Sequence, residues 1–221
     1  SLIPEKSVVF KEQDKSGKFT KQMTKDEFNQ VKMDKIVVLQ NENTASASEV
    51  LIGALKDNLG KKVTTVGTTS YGKGTEQVTV PFSDGTSFKY TVAQWYTPNG
   101  TSINKKGFKP DIEVELPEAK TTSYYKFNKK DVIKKDSVDT NAKPLQIYLK
   151  YLGYSVDRTD SYFSNTSSEG LANFQQENGL DATGDCNKKT WDLLVEKVLL
   201  KMNETPSDDT QRQSAIEEVE K

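Results

Sequence analysis

The constraint that most narrows the folds open to this chain lies between Lys35 and Gly67, where two short β-branched runs bracket one amphipathic stretch. Lys35-Ile-Val-Val-Leu39 is an apolar run closed by polar residues, the pattern of a strand covered on both faces of a sheet. A turn at 41–43 follows. From Ser46 to Leu59 the residues Ala47, Val50, Leu51, Ala54 and Leu55 recur at helical spacing, and Gly60 stands where a left-handed C-terminal cap is expected. Val63 to Gly67 reads as the next strand. Strand, helix and strand within this span make a βαβ unit, which demands a parallel pair and a right-handed crossover.

The pattern changes after Lys73. Gln77 to Val80 and Phe88 to Tyr96 flank Ser83-Asp-Gly-Thr86, the signature of a β-hairpin. Thr97-Pro-Asn-Gly100 is a further turn, and Gly107-Phe-Lys-Pro-Asp-Ile-Glu-Val114 ends in an edge strand just after Pro110. A first domain, α/β with a mixed sheet, therefore spans residues 1–117. Residues 118–140, rich in Lys, Asp, Ser and Thr, read as a linker. In 141–200, Leu145, Leu149, Leu152, Leu171, Phe174, Leu180, Trp191, Leu193 and Leu194 mark a small module of three helices, with turns at Gly153, Gly179 and Gly184. Residues 201–221 are polar and acidic, a frayed helix or a tail.

Composition removes several classes of function. The 31 basic residues balance 32 acidic ones, so nothing favours capture of nucleic acid. The single cysteine, Cys186, excludes an internal disulfide, and without a histidine or a cysteine cluster no metal or other cofactor is expected. No apolar run is long enough for a membrane span and Ser1-Leu-Ile-Pro-Glu-Lys6 is not a signal peptide, so the chain as it stands reads as soluble. The absence of histidine also bars the usual imidazole base of a serine hydrolase, which leaves the base to a lysine.

A serine and a lysine suited to that chemistry are present. Ser46 falls at the start of the helix, where unbonded N–H groups and the positive helix end stabilise an oxyanion. Ser46-Ala-Ser-Glu49 is equally a capping box, and capping alone explains the motif. Lys73 lies between Gly72 and Gly74, which permit a positive φ or close approach to another segment, and a crowded site favours the neutral amine a base needs. On spacing alone it is a surface lysine in a loop. Gln77, four residues on, is placed to hold the amine by a hydrogen bond.

Taken together, Asn41-Glu-Asn-Thr-Ala-Ser-Ala-Ser-Glu-Val50, Val66-Gly-Thr-Thr-Ser-Tyr-Gly-Lys-Gly-Thr-Glu-Gln77, Pro81-Phe-Ser-Asp-Gly-Thr86 and Tyr96-Thr-Pro-Asn-Gly100 resemble the carboxyl-terminal processing protease family over residues 2–117. The resemblance implies a serine endopeptidase with Ser46 as nucleophile, Ser48 as the fallback, Lys73 as base, Gln77 as its support, and the Ala47 N–H as one oxyanion donor. It implies no cofactor, and polypeptide substrates cleaved in their C-terminal regions outside the cytoplasmic membrane. The family's D-L-R-x-N-P-G-G segment and the PDZ domain before it are absent. A fragment is therefore expected, with weak or no proteolysis by itself, since the missing segment supplies the second oxyanion donor; losing one such donor costs about 3 kcal/mol. By the same resemblance a membrane anchor belongs to the missing N-terminal part.

Leu145-Gln-Ile-Tyr-Leu-Lys-Tyr-Leu-Gly-Tyr154, with Leu171-Ala-Asn-Phe-Gln-Gln-Glu-Asn-Gly-Leu180 and Thr190-Trp191, resembles the three-helix peptidoglycan-binding domain, which implies a tether to the cell wall. Tyr151, Tyr154 and Tyr162 are candidates for stacking on sugar rings. Two other readings of the whole remain open: a non-catalytic wall-binding or scaffolding protein with a vestigial protease half, and a serine–lysine amidase or esterase acting on wall peptides.

Overall fold

The computed structural model describes residues 1–25 and 29–221. It divides into two compact units, one made of Ser1–Glu115 and Thr210–Lys221, the other of Leu116–Asp209.

In the first unit, β1 (Val8–Gln13) and β2 (Phe19–Met23) form a hairpin, followed by β3 (Ile36–Gln40), α1 (Ala47–Leu59) and β4 (Val63–Gly67). β5 (Thr75–Pro81), β6 (Ser87–Tyr96) and β7 (Ile112–Glu113) follow. Parallel and antiparallel ladders occupy separate sheets. β3, β4 and β7 pair in parallel in that order, whereas β2, β1, β6 and β5 form an antiparallel sheet. The βαβ unit thus forms as its pattern requires, with Ile36 opposite Val63 and Gln40 opposite Gly67. α1 buries Ile52, Ala54 and Leu55, and the last two pack with Ile3 and Val63 in the apolar centre of this unit.

Two local expectations change. Gly60 has a positive φ of 56° but ψ of −123°, outside the left-handed region, because the chain passes into a short 3₁₀ turn at Gly60–Lys62 before β4. β3 is less enclosed than its apolar run suggests, with Leu39 48% exposed. The hairpin turn is as read: the Phe82 N–H donates to the Thr86 carbonyl at 2.8 Å, and Asp84 accepts from the Thr86 N–H and hydroxyl. The β1–β2 hairpin carries its own signal in the apolar start Val8-Val-Phe10 and in Asp14-Lys-Ser-Gly17, whose carboxylate accepts from the Ser16 and Lys18 N–H groups.

The second unit contains α2 (Glu118–Thr121), β8 (Val132–Ile133), β9 (Ser137–Val138), α3 (Ala142–Leu152), β10 (Tyr162–Phe163), α4 (Asn165–Glu177), β11 (Cys186–Asn187) and α5 (Lys188–Glu204). The three long helices converge on Leu145, Leu149, Leu171, Phe174, Trp191 and Leu194, all buried. Residues 118–140, linker-like in composition, contribute to the same core: Phe127 stacks on Trp191 at 5.1 Å, and Ile133 is buried where β8 pairs with β11. Cys186 is buried there too, and burial pushes its thiol well above the usual range, which disfavours the thiolate.

Residues 201–221 complete α5 and then form a 3₁₀ turn and α6 (Thr210–Glu220), which belongs to the first unit and packs on β3 and β4. Its attachment is polar. Buried Gln211 donates to the Val114 carbonyl at 2.9 Å, Thr210 to the Glu115 carbonyl, and Glu218 pairs with Lys35 at 2.7 Å. A helix fastened this way leaves little hydrophobic pattern in the sequence.

Candidate active site

β3 delivers the chain to the turn before α1, where the Thr44 hydroxyl accepts from the Asn41 N–H at 3.0 Å. Ser46 then adopts φ 56°, ψ −116°, the corner of φ/ψ space used by glycine at the first central position of a type II′ turn. An ordinary N-cap residue rests in the extended region, so capping does not require this conformation. For a residue with a Cβ it costs on the order of 1–3 kcal/mol and has to be held by its surroundings.

The holding group is Glu49, fully buried in the first turn of α1. Its Oε2 accepts from the Ser46 N–H and from the Lys73 N–H, both at 2.9 Å. Its Oε1 accepts from the Gly72 N–H and the Ser70 hydroxyl, both at 2.6 Å. One oxygen therefore ties together the backbones of the serine and the lysine, which stand 27 positions apart in the sequence. Ser70 extends the chain of bonds by accepting from the Phe108 N–H at 2.7 Å.

The lysine loop is gripped from its other sides as well. The Trp95 indole donates to the Lys73 carbonyl at 2.8 Å, and the Lys105 N–H donates to the Gly72 carbonyl. Both flanking glycines are needed for this close packing. Gly72 has φ 83° and a Cβ there would sit 2.7 Å from the Gly107 nitrogen, while a Cβ on Gly74 would sit 2.7 Å from the Cβ of Asn104. Lys73 itself is half-buried.

Ala47 is exposed and opens the first turn of α1, where N–H groups have no carbonyl one turn back. Ser48, also exposed, lies on that turn without the backbone strain of Ser46. Beside Ala47 runs an apolar cleft of about 380 Å³ lined by Leu2, Ile3, Val9, Val50 and Leu51. Gln77 stands apart from this group. It is exposed on β5, just after a register shift, and its amide donates to the Thr91 hydroxyl at 3.4 Å across the hairpin. The structure thus brings Ser46, Ala47 and the Lys73 backbone together, and places the Gln77 amide on Thr91.

Sequence reasoning saw Glu49 only as half of a capping box and did not single out Ser70 or Trp95. The S-x-x-E motif contains the signal for Glu49; nothing in the sequence reports the strained φ at Ser46.

In the second unit the three tyrosines singled out for stacking are engaged. The Tyr151 hydroxyl donates to Asp208 at 2.8 Å and Lys201 covers its ring at 4.8 Å. The Tyr154 hydroxyl donates to Glu177 at 2.6 Å and its ring meets Phe174 edge-on. Burial and these carboxylate partners push both phenols up to about 12. Tyr162 donates to Asp136 and lies under Arg158.

Comparison with known proteins agrees with both halves. The family model described as Peptidase family S41 matches residues 1–114, and the one described as Putative peptidoglycan binding domain matches residues 139–194. A protein named Probable CtpA-like serine protease from Staphylococcus epidermidis is 39% identical over 174 residues, covering 79% of this chain and 35% of that protein. Its namesake from Staphylococcus aureus is 39% identical over 180 residues, covering 80% and 36%. The chain thus spans about a third of the length of these relatives. Among solved structures, the photosystem II D1 C-terminal processing protease aligns with a TM-score of 0.44 at 36% identity, over 52% of this chain and 29% of that one. With the S41 model matched across more than half of its residues, the chain belongs to peptidase family S41.

Proposed function

We propose that the first unit carries the serine–lysine centre of an endopeptidase that cleaves the C-terminal regions of polypeptides outside the cytoplasmic membrane, and that the second unit holds it to peptidoglycan. The observation that carries this reading is the strained Ser46 backbone, fixed by the same Glu49 oxygen that fixes Lys73. A simple cap has no need of that strain, whereas a nucleophile presented on a sharp strand-to-helix turn does.

In the proposed reaction the Ser46 Oγ attacks the scissile carbonyl carbon while its proton passes to the Lys73 amine. The carbonyl oxygen becomes an oxyanion that accepts from the Ala47 N–H at the positive end of α1. Collapse of the tetrahedral intermediate breaks the C–N bond, and Lys73 returns the proton to the leaving amine. Water then adds to the acyl-enzyme with Lys73 again taking its proton, which releases the acid and restores Ser46. Gln77 steadies the amine after giving up its long bond to Thr91, and the apolar cleft beside Ala47 receives an apolar substrate side chain.

The test is casein cleavage by the full-length protein that contains this chain, with Ser46→Ala and Lys73→Ala alongside. Each variant is expected to lose at least about a thousandfold in rate while staying folded. An inert wild type, or variants that cleave as fast as the wild type, makes Ser46 a helix cap and leaves wall binding as the protein's role.

A further inference from the structure

The wall-binding reading leaves open which part of the second unit meets the wall, and the tyrosines marked by sequence are occupied. Among the described residues one tyrosine of this unit, Tyr125, has neither an aromatic contact nor a hydroxyl partner. The residue is 70% exposed. Its backbone is nevertheless fixed on both sides: buried Asn141 accepts from the Tyr125 N–H at 2.9 Å and donates to the Tyr125 carbonyl at 3.3 Å. The backbone that carries the ring is thus held in place, so a ligand that stacks on it has only the side chain's own torsions left to order.

Tyr125 lines a cleft of about 420 Å³ together with Pro144, Lys143, Glu118 and several hydroxyl-bearing residues. Ser123, Thr140 and Ser161 line it with hydroxyls that make no side-chain hydrogen bond among the described residues, so they are open to ligand amides and hydroxyls. Lys143 supplies a cation. Its partner Glu118 is 3.9 Å away, with both side chains more than half exposed, so an incoming carboxylate can replace Glu118 at little cost. A second cleft, near Tyr154 and Lys201, offers less: the Tyr154 hydroxyl is held by Glu177 and the Lys201 amine by the Tyr151 carbonyl.

We infer that the cleft formed by Tyr125, Ser123, Thr140, Lys143 and Ser161 is the subsite that takes an amino-sugar glycan bearing a peptide carboxylate. The ring receives the C–H face of a pyranose, the hydroxyls meet its N-acetyl and hydroxyl groups, and Lys143 pairs with the carboxylate. The inference rests on the reading of the second unit as a peptidoglycan binder.

The experiment is sedimentation of the whole chain with purified sacculi, and separately with glycan strands stripped of their peptides. Tyr125→Ala is expected to weaken binding to both by about tenfold, and Tyr125→Phe by less than about twofold. Lys143→Gln is expected to weaken binding to sacculi by about threefold and to leave the stripped strands unaffected. Should Tyr125→Ala bind as the wild type does, the cleft is not the subsite although the wall-binding reading stands; should Tyr125→Phe fall with it, stacking is not the contact. If the wild type fails to sediment, the wall-binding reading itself falls. In a check free of variants, a soluble muropeptide added to the labelled chain is expected to shift the amide resonances of 121–125, 140–143 and 161; shifts confined to other parts of the unit overturn the assignment.

Discussion

Both units contain buried polar hubs, and the two kinds of hub differ in what they hold. In the second unit the hubs are glutamines. Gln146 donates to the Asp160 carbonyl and accepts from Ser167, while Gln175 donates to the Asp185 carbonyl and Thr190 and accepts from the Gly184 N–H. An amide both gives and takes, so it stitches loops of either polarity to a core already made by Leu145, Leu171 and Phe174. In the first unit the hub is a carboxylate. Glu49 only accepts, and all four of its partners are donors from the serine turn and the lysine loop. The first arrangement supports an apolar core; the second substitutes for one at the place where chemistry is proposed.

The largest expected effect breaks that comparison at its centre. Glu49→Ala strands the Gly72 and Lys73 N–H groups in a poorly hydrated setting and frees the Ser46 turn, which should cost about 4 kcal/mol in the first unit. Each unit has its own tryptophan, Trp95 in the first and Trp191 in the second. Urea unfolding followed by Trp95 emission in a Trp191→Phe background should record the loss, with the second unit's transition unmoved. A shift of both transitions together would mean that the two hubs are not independent. The counterpart is Leu171→Ala, which opens a cavity in the second core and should cost about 3 kcal/mol, seen through Trp191 in a Trp95→Phe background.

The same contrast explains what the sequence revealed. Leu145 and Leu149, Leu171 and Phe174, and Trp191 and Leu194 stand three or four positions apart within their helices and are buried, so the helical module was legible from hydrophobic period alone, as was the β3–α1–β4 unit. Phe127 and Ile133 were not, because isolated apolar residues among lysines and aspartates have no period. The docking of α6, whose residues read as a frayed helix or a tail, escaped for a related reason, since Gln211 and Glu218 fasten it by polar bonds. At the candidate site the residue types and their order could be read, and the glycines around Lys73 announced close packing. The bonds that converge on Glu49 link residues 46, 70, 72 and 73, and that convergence is a tertiary fact with no local signature.

A smaller effect concerns how α1 is fastened to β4. Asp111 accepts from the Lys56 amine at 2.7 Å and from the Thr65 N–H and hydroxyl, each at 2.8 Å. Burial pushes its carboxyl up, but the Lys56 and Thr65 donors outweigh it, and the group lies below the usual 3.8. A carboxyl lowered by folding stabilises fully above its unfolded value and loses that contribution as pH falls through the lower folded value. The first unit should therefore lose this increment on acidification below pH 3.8, and Asp111→Asn should remove it at neutral pH. With Asp111 43% exposed, the expected cost is no more than about 1 kcal/mol. A pH–stability profile of the variant with an unchanged acid limb would show that Asp111 contributes nothing through its charge.

The smallest expected change is the one that separates a cap from a nucleophile. Ser46→Gly places at φ 56°, ψ −116° the residue that adopts this conformation without steric cost, so the backbone strain is relieved. The relief is partly offset by the greater freedom of glycine in the unfolded chain, which leaves a net gain of about 0.5–1 kcal/mol in the first unit. Were Ser46 a cap in the ordinary extended conformation, the same change would cost a few tenths of a kcal/mol. Urea unfolding of Ser46→Gly beside Ser46→Ala, which keeps the strain and loses the hydroxyl, isolates the backbone contribution from the side chain's. A stabilised Ser46→Gly that no longer cleaves casein in the full-length protein means that folding energy is given up to present this hydroxyl; a destabilised one means that the turn is not strained and the hydroxyl serves α1.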